Sequence, residues 1–600
     1  MTRKLLHKLY RVKEYYSKYG AKRFTRHVFS KLFHLDEMNY GRLRKIKQLS
    51  SKEIERQRAE VFAQMPLISI LVPLYCTPSE YLKALIESVQ QQTYANWELC
   101  LSDGSGLGKM DCSYIEECMK RDERIKLAKS DKPLAIAENT NQALKLAKGD
   151  FIAFADHDDL LEINTLYECV KVINVRPETE IIYTDEDKVS MNGKTFFQPH
   201  FKSDFNLDLL RSMNYICHFF VVKRNVQEQV GELRQEYDGA QDYDFVLRCV
   251  EKTKHIYHIP EVLYHWRAHQ DSTAENPESK RYAFEAGIRA LESHLERCGI
   301  KGTVTMTEQY GLYRVKYELE KEPLVSILIP NKDHVDDLQR CVISLYENSD
   351  YPNFEIIIIE NGSVEEATFQ YYEEISMKYS NVQVVTWNNE GEFNFSALNN
   401  YGATFAEGEY LLFLNNDTEI LEKSSIAEMV SHMNRPEVGA VGARLYYEDG
   451  TVQHAGVIVG LGGIAGHAFK DAPKSDGGYF FRSICVQDYS AVTAACMMMS
   501  KPLFGEIGGF DEGLKVAFND IDLCMQIRSK NRLIVYTPYA ELYHYESKSR
   551  GLENTKEKVK RFNGEVNYFA KKWKKELDAG DPYYNKNLTL EKHDFSLKIL

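Results

Sequence analysis

No apolar stretch in the 600 residues approaches the eighteen or so that a membrane-spanning helix needs, so any membrane association read from this sequence is peripheral. The twelve cysteines form no C-x-x-C pair and no secretory h-region is visible, a pattern that fits a reducing cytoplasm with cysteines as ordinary core residues. Surplus positive charge is missing too. A net charge of −13 argues against general nucleic-acid binding. Neither Leu74-Tyr75-Cys76-Thr77 nor Asn331-Lys332-Asp333-His334 supplies the glycine-rich, basic phosphate loop a nucleotidyltransferase would want, and Gly460-Leu461-Gly462-Gly463 is no dinucleotide fingerprint.

What is present is 44% hydrophobic and 27% charged residues, the balance of a globular chain, at a length that exceeds one hydrophobic core. The charge is unevenly spread. Met1 to His34 holds ten basic residues against Glu14, a local +9 that leaves −22 for the rest. There Leu5, Leu9, Val12, Tyr16 and Tyr19 recur at helical spacing, which fits a helix lying on a membrane surface or one packed on the first domain.

The dominant feature is a short apolar run ending in acids, Gly149-Asp150-Phe151-Ile152-Ala153-Phe154-Ala155-Asp156-His157-Asp158-Asp159, and its second copy, Gly408-Glu409-Tyr410-Leu411-Leu412-Phe413-Leu414-Asn415-Asn416-Asp417. Each has the length and flanking of a buried strand that delivers its terminal acids to the carboxyl edge of a sheet. Open α/β sheets bind ligands at that edge, and acids gathered there suit a hard divalent cation. The alternative is that they cap the next helix.

Other landmarks repeat in register. Leu67 to Pro73 returns as Leu324 to Pro330, and Trp97 to Asp103 as Phe354 to Glu360; the offset is 257 for Pro73 to Pro330 and for Asp103 to Glu360, and 259 for Asn141 to Asn400 and Asp158 to Asp417. Strands alternate with helical stripes, so each copy predicts a mostly parallel α/β sheet. The organisation expected is a basic helical segment over 1–64, a first domain over 65–300, a connector over 301–322, a second domain over 323–572 and a tail over 573–600. In the connector Tyr313, Val315, Tyr317 and Leu319 alternate with charged residues, which predicts a strand.

These motifs, in order and twice, resemble glycosyltransferase family 2, the inverting nucleotide-sugar enzymes with the GT-A fold, over about 66–267 and 323–550. They include Val72-Pro73-Leu74-Tyr75, Ser102-Asp103-Gly104-Ser105, Asp156-His157-Asp158-Asp159, Gln241-Asp242-Tyr243-Asp244 and Leu263-Tyr264-His265-Trp266-Arg267 in the first copy. The second has Ile329-Pro330-Asn331, Glu360-Asn361-Gly362-Ser363, Asn415-Asn416-Asp417, Asn519-Asp520-Ile521-Asp522 and Leu542-Tyr543-His544-Tyr545. The resemblance implies two GT-A domains in tandem. It implies Mg2+ or Mn2+ held by Asp156, Asp158 and His265 in one and by Asp417 and His544 in the other, the histidines lying 279 residues apart.

By the same resemblance Asp103 and Glu360 read the nucleotide base, Glu360 being one methylene longer than the usual Asp. Pro73, Tyr75, Asn141, Asp156, Arg267, Pro330, Asn400 and Asn416 join them in holding the donor, and Asp242 and Asp520 serve as general bases. The neighbouring Asp244 and Asp522 are the structural rivals.

Tyr183-Thr184-Asp185-Glu186-Asp187-Lys188 with Asn214 to His218, and Gln453-His454-Ala455-Gly456 with Gly466-His467-Ala468, look like tandem enzymes of bacterial surface-polysaccharide assembly, rhamnosyltransferases among them. Asp185-Glu186-Asp187 is a rival metal cluster on composition alone, ranked below the ordinary reading of a charged turn because it follows no clear buried strand end in the repeat. The expected function is two transfers onto a lipid-linked glycan at the inner membrane face. The competing expectation is that the second unit, with Asn415 in place of an acid, is a binding or structural module.

Overall fold

The structure, a computed structural model, describes residues 35–268, 281–319, 321–388, 393–545 and 555–598. The basic segment before Leu35, and Glu546, which stands in the repeat where Arg267 does, lie outside the described residues.

The first unit is built on strands β1 (Ile68–Leu74), β2 (Trp97–Asp103), β3 (Ile125–Lys129), β4 (Phe151–Phe154), β5 (Leu160–Leu161), β6 (Ile181–Val189), β7 (Phe196–His200), β8 (Phe220–Lys223) and β9 (Ile256–Arg267). They form one sheet in the order β3-β2-β1-β4-β8-β6-β9-β5, with β7 paired to β6. The β3, β2, β1 and β4 strands run parallel, and β8 enters antiparallel to β4 and β6. Helices cover both faces, so β1 and β2 are buried almost throughout and read as continuous apolar runs.

A second sheet repeats that order with Val382–Thr386, Phe354–Glu360, Val325–Asn331, Tyr410–Leu414, Cys496–Ser500, Val438–Tyr446, Leu533–His544 and Thr418–Ile420. The duplication extends to single atoms. Ser69 Oγ donates to Glu98 and accepts from the Gly149 amide at 2.8 Å; Ser326 Oγ does the same with Glu355 and the Gly408 amide at 2.8 Å. A Cβ on either glycine would lie 2.6 Å from a carbonyl, of Leu67 or Leu324, so only glycine lets the acid-bearing strand enter the sheet there.

Between the sheets Gly302–Met306 and Tyr313–Tyr317 form a separate antiparallel hairpin whose Val304, Tyr313, Val315 and Tyr317 pack into the first unit's core. The two units are joined by buried polar contacts. Arg435 of the second grips Asp208 of the first through two nitrogens at 2.6 and 2.8 Å, and Tyr317 of the hairpin accepts from Arg435 at 3.0 Å. Asn206 donates to the Asp488 carbonyl at 2.9 Å and accepts its amide at 3.0 Å. The chain's end crosses back as well: Asn585 donates to Asp185 and to the Lys202 carbonyl, while Tyr584, Leu588 and Phe595 enter the second unit's core.

The reading of Asp185 to Asp187 as a charged turn is corrected here. All three are buried within β6, and each is neutralised by partners distant in sequence.

Because the Arg435–Asp208 pair is buried, removing one member leaves an uncompensated charge. Asp208→Ala is expected to destabilise the protein by about 3–5 kcal/mol, read as a lower urea midpoint, and Asp208→Leu with Arg435→Met should recover most of it.

Candidate active site

β4 ends at Phe154, and the next five residues turn along the carboxyl edge of the sheet. Asp159 anchors that turn: it is fully buried and accepts from the Tyr264 hydroxyl at 2.6 Å and the Arg267 amide at 2.7 Å. The Tyr264 hydroxyl also accepts the Asp156 amide at 3.0 Å. Arg267 braces the turn through its Nε on the Asp158 carbonyl at 2.6 Å, with its Nη1 on the Met191 carbonyl at 2.7 Å and its guanidinium over the Tyr81 ring.

The histidine facing these acids is His218. Its Nε2 lies 3.4 Å from Asp156 Oδ2, its ring stacks on Tyr264, and Asp156, Asp159 and His218 present donor atoms all within 4.8 Å of one another. It is placed by Lys202, which pairs with Glu186 at 3.2 Å and donates to the Ile216 and His218 carbonyls, while Glu186 accepts the His218 amide at 3.3 Å. Asp242, in the first turn of the helix Gln241–Val250, accepts from Asn214 Nδ2 at 3.0 Å. Burial raises its carboxyl above the ordinary range, with His218 opposing and Asp156 reinforcing the shift.

Asp244, two residues on, is fully buried between Arg234 and Arg248, at 3.0 and 2.9 Å. Asp522 is likewise held by Trp573 Nε1 at 2.7 Å, Gln526 and Lys572.

His265 does not join the acids of the turn, which corrects its assignment as a metal ligand. Its Nδ1 meets Asp187 at 2.6 Å and its Nε2 meets Glu162 at 3.2 Å. A ring flanked by two carboxylates donates from both nitrogens and keeps no lone pair for a cation. Burial alone would lower its pKa, but Asp187 and Glu162 outweigh that and bring it up to about 9. Arg44 and Tyr40, from the helix Leu35–Lys47, reach the same carboxylates: Arg44 contacts Asp187 and Glu162, both at 3.1 Å, and Tyr40 donates to Asp187.

In the second unit the corresponding histidine behaves differently. His544 Nε2 lies 3.2 Å from Asp417 Oδ1 and 3.1 Å from Asn415 Nδ2, and its Nδ1 meets Gln453 Oε1 at 2.6 Å. The strand pairings Phe154 with Phe220 and Leu414 with Cys496 place Ala494 where the first unit has His218. Its amide donates instead to Asp520 Oδ2 at 3.2 Å, and burial again raises the Asp520 carboxyl, opposed by that amide. Each unit therefore sets one histidine on its acids, from a different strand.

A family model described as glycosyl transferase family 2 matches residues 69–231 and again 326–489. The chain belongs to that family. Among relatives of this glycosyltransferase, an uncharacterized protein y4gI of Sinorhizobium fredii is 44% identical over 536 residues, 89% of this chain and 58% of its own length. The O-antigen biosynthesis protein RfbC of Myxococcus xanthus is 37% identical over 538 residues, 89% of this chain and 41% of its own. The chain thus spans about half the length of the curated relatives it matches. A structure of GalNAc-T7 with UDP, GalNAc and Mn2+ aligns over 46% of this chain and 53% of that one, at 17% identity and a TM-score of 0.36.

The remaining residues expected to hold the glycosyltransferase's donor divide into two groups. Pro73 and Pro330 are half-buried near the ends of their strands, Tyr75 is exposed just beyond one, and Asp103 and Glu360 end the neighbouring strands. Asp103 accepts the Ser105 amide at 3.0 Å. Glu360 accepts from Ser363 Oγ at 2.7 Å and from Tyr372 at 2.6 Å, and Tyr372 accepts from Asn331, which accepts from Asn416 Nδ2 at 2.7 Å. That chain of hydrogen bonds ties Glu360 to the turn that carries Asn416.

Asn141 and Asn400 form the other group and are corrected. Asn141 donates to the Leu233 carbonyl at 2.8 Å and accepts its amide at 2.9 Å; Asn400 clamps Phe510 in the same way, both at 2.9 Å. They fasten a loop within each unit, which is why they repeat. His218 was missed as a site residue because its counterpart is alanine, so no repeat signal marked it; its stretch was notable only for subgroup likeness.

The His265 cluster gives a pH signature. Its pKa rises from about 6.5 unfolded to about 9 folded, so its stabilisation is complete below pH 6.5 and lost as pH climbs through 9. Glu162 falls to about 2 against burial, drawn down by His265 and Arg44, so its share is present above pH 4.5 and lost as pH falls through 2. His265→Gln should flatten the stability profile between pH 6.5 and 9, measured by urea unfolding across that range.

Proposed function

We propose that this glycosyltransferase moves sugars from nucleoside-diphosphate donors onto a growing bacterial cell-surface glycan, with one transfer site in each unit. The observation that supports this reading is the repeated placing of an acid, a histidine and a half-buried aspartate with a raised carboxyl pKa near the carboxyl edge of each sheet: Asp156, His218 and Asp242, then Asp417, His544 and Asp520. The O-antigen relative supports a surface polysaccharide as product class. Rhamnose as the sugar and a lipid-linked acceptor rest on subgroup likeness.

Carboxylates with an imidazole suit Mg2+ or Mn2+, which would be held by Asp156 and His218 in the first unit, with Asp158 added by the family resemblance, and by Asp417 and His544 in the second. Bound there, the ion would offset charge developing on the leaving diphosphate. The chain's own residues do the rest. Asp242 and Asp520 take the proton of the acceptor hydroxyl, a task suited to carboxyls whose pKa burial has raised. Arg267 keeps the acidic turn in place, and the Asn416 to Glu360 hydrogen-bond chain keeps the base-reading edge in register with it.

A second reading, in which the second unit only binds glycan, is favoured by one observation: Asn415 replaces an acid and leaves its site with fewer anionic donors.

Asp158→Asn should abolish the first transfer, and excess chelator should stop both; full turnover in chelator would sink the metal assignment. Asp242→Asn and Asp520→Asn should each slow one transfer by about two to four orders of magnitude with donor binding preserved. Linkage analysis of the two products decides between the readings. Two distinct truncated glycans mean two active sites, and an Asp520→Asn product identical to the parent's means a binding module.

A further inference from the structure

In the second unit Gln453 lies on the short strand Val452–His454, buried against His544. Its Oε1 sits 2.6 Å from His544 Nδ1 and its Nε2 3.4 Å from the His544 carbonyl. The backbone contact orients the amide: a flipped side chain would set two oxygens against each other. With Oε1 facing the ring, Nδ1 must carry the hydrogen, because an amide oxygen only accepts. In the neutral ring Nε2 then keeps its lone pair. Asn415 Nδ2 donates toward that lone pair at 3.1 Å, and the Asp417 oxygen stands 3.2 Å away, about the separation of two neighbouring ligands on an octahedral ion with bonds of roughly 2.1 Å.

The first unit supplies the contrast. His265, at the same place in the repeat, meets the carboxylate of Asp187 at Nδ1 and that of Glu162 at Nε2, an arrangement that holds a cationic ring away from the acidic turn. Repeat position alone therefore does not make a ligand. The partner of Nδ1 and the surroundings of Nε2 decide whether the ring serves as an ion-pair member or as a donor to a cation.

We propose that Gln453 is a positioning residue of the second transfer site: it fixes His544 in the tautomer whose Nε2 lone pair joins Asp417 in holding the divalent cation. The inference rests on the reading of Asp417 and His544 as that cation's site. It also gives Gln453-His454-Ala455-Gly456, which the repeat did not account for, a role in the chemistry. Hydrogen-bond partners of this kind change metal affinity by about 10- to 100-fold when removed, because they set both the tautomer and the orientation of the ring.

The test uses the full chain with Mn2+ alone, in an Asp156→Asn/His218→Ala background that removes the first unit's nitrogen donor. Mn2+ binding is followed by electron paramagnetic resonance, with pulsed measurement of nitrogen modulation from a coordinated imidazole. Gln453→Leu should weaken the remaining site about 10- to 100-fold and remove or diminish the nitrogen signal. Gln453→Met, of similar length but without the acceptor oxygen, should do the same. His544→Ala and Asp417→Asn report on the site itself. If these two lose Mn2+ while Gln453→Leu binds with unchanged affinity and signal, the positioning role is wrong and the cation site stands. If Asp417→Asn and His544→Ala also bind Mn2+ as the parent does, the cation reading falls and this inference with it. Should Gln453→Leu fail to fold, unchanged affinity and nitrogen signal in a folded Gln453→Met variant would equally overturn the proposal.

Discussion

Three consecutive carboxylates buried in one strand constrain much of this molecule. Charges removed from water cost several kcal/mol each unless paired and hydrogen-bonded. Asp185, Glu186 and Asp187 can stay in β6 only because partners converge on them from the whole chain. Asp185 takes His258 at 2.8 Å and Asn585 from the far end of the sequence; Glu186 takes Lys202 and His200; Asp187 takes His265, Arg44 and Tyr40. Those partners order the helix Leu35–Lys47, the C-terminal segment and the loop that presents His218. A strand that reads as a charged turn is thus the point at which three separate parts of the chain are fastened.

The same constraint explains how the two units diverged after duplication. In the first, the Asp187 and Glu162 carboxylates claim His265 as a cation, and the acidic turn takes its imidazole from the segment leading into β8 instead. In the second, a neutral glutamine faces the matching ring, Ala494 carries no imidazole at the place of His218, and His544 lies against the acid. The histidine set beside the acids thus comes from a different place in each unit. The surroundings of the acids differ accordingly. The first turn holds Asp156, Asp158 and Asp159 braced by Arg267, whereas the second holds one aspartate among two asparagines.

Much of this was legible in the sequence because it is local. The two apolar runs, the glycines that open them and the acids that end them lie within a dozen residues, and offsets of 257 and 259 tie the copies together. What was not legible is what depends on a remote partner. Asn141 and Asn400 repeat in register, but a repeated asparagine is equally a ligand contact or a backbone clamp, and only Leu233 and Phe510 arriving on both ends of the amide decide it. Asp244 and Asp242 are two residues apart in one motif. The arginines at 234 and 248 make the first an interior anchor, whereas the second faces the neutral Asn214 amide and its carboxyl is raised by burial.

The rigid joining of the units bears on how two transfers could be coordinated. Loosely linked domains typically associate through modest polar interfaces and move relative to one another. Here Arg435 and Asp208 form a buried bidentate pair, the Asn206 side chain makes two hydrogen bonds to the Asp488 backbone, and the C-terminal segment crosses both units. Separating them would strand charges and amide groups without water, a cost far above that of bending a flexible linker. If each unit transfers a sugar as proposed, a glycan leaving one site would meet the other at a fixed distance and orientation, and order in the product would follow from which acceptor end each site fits.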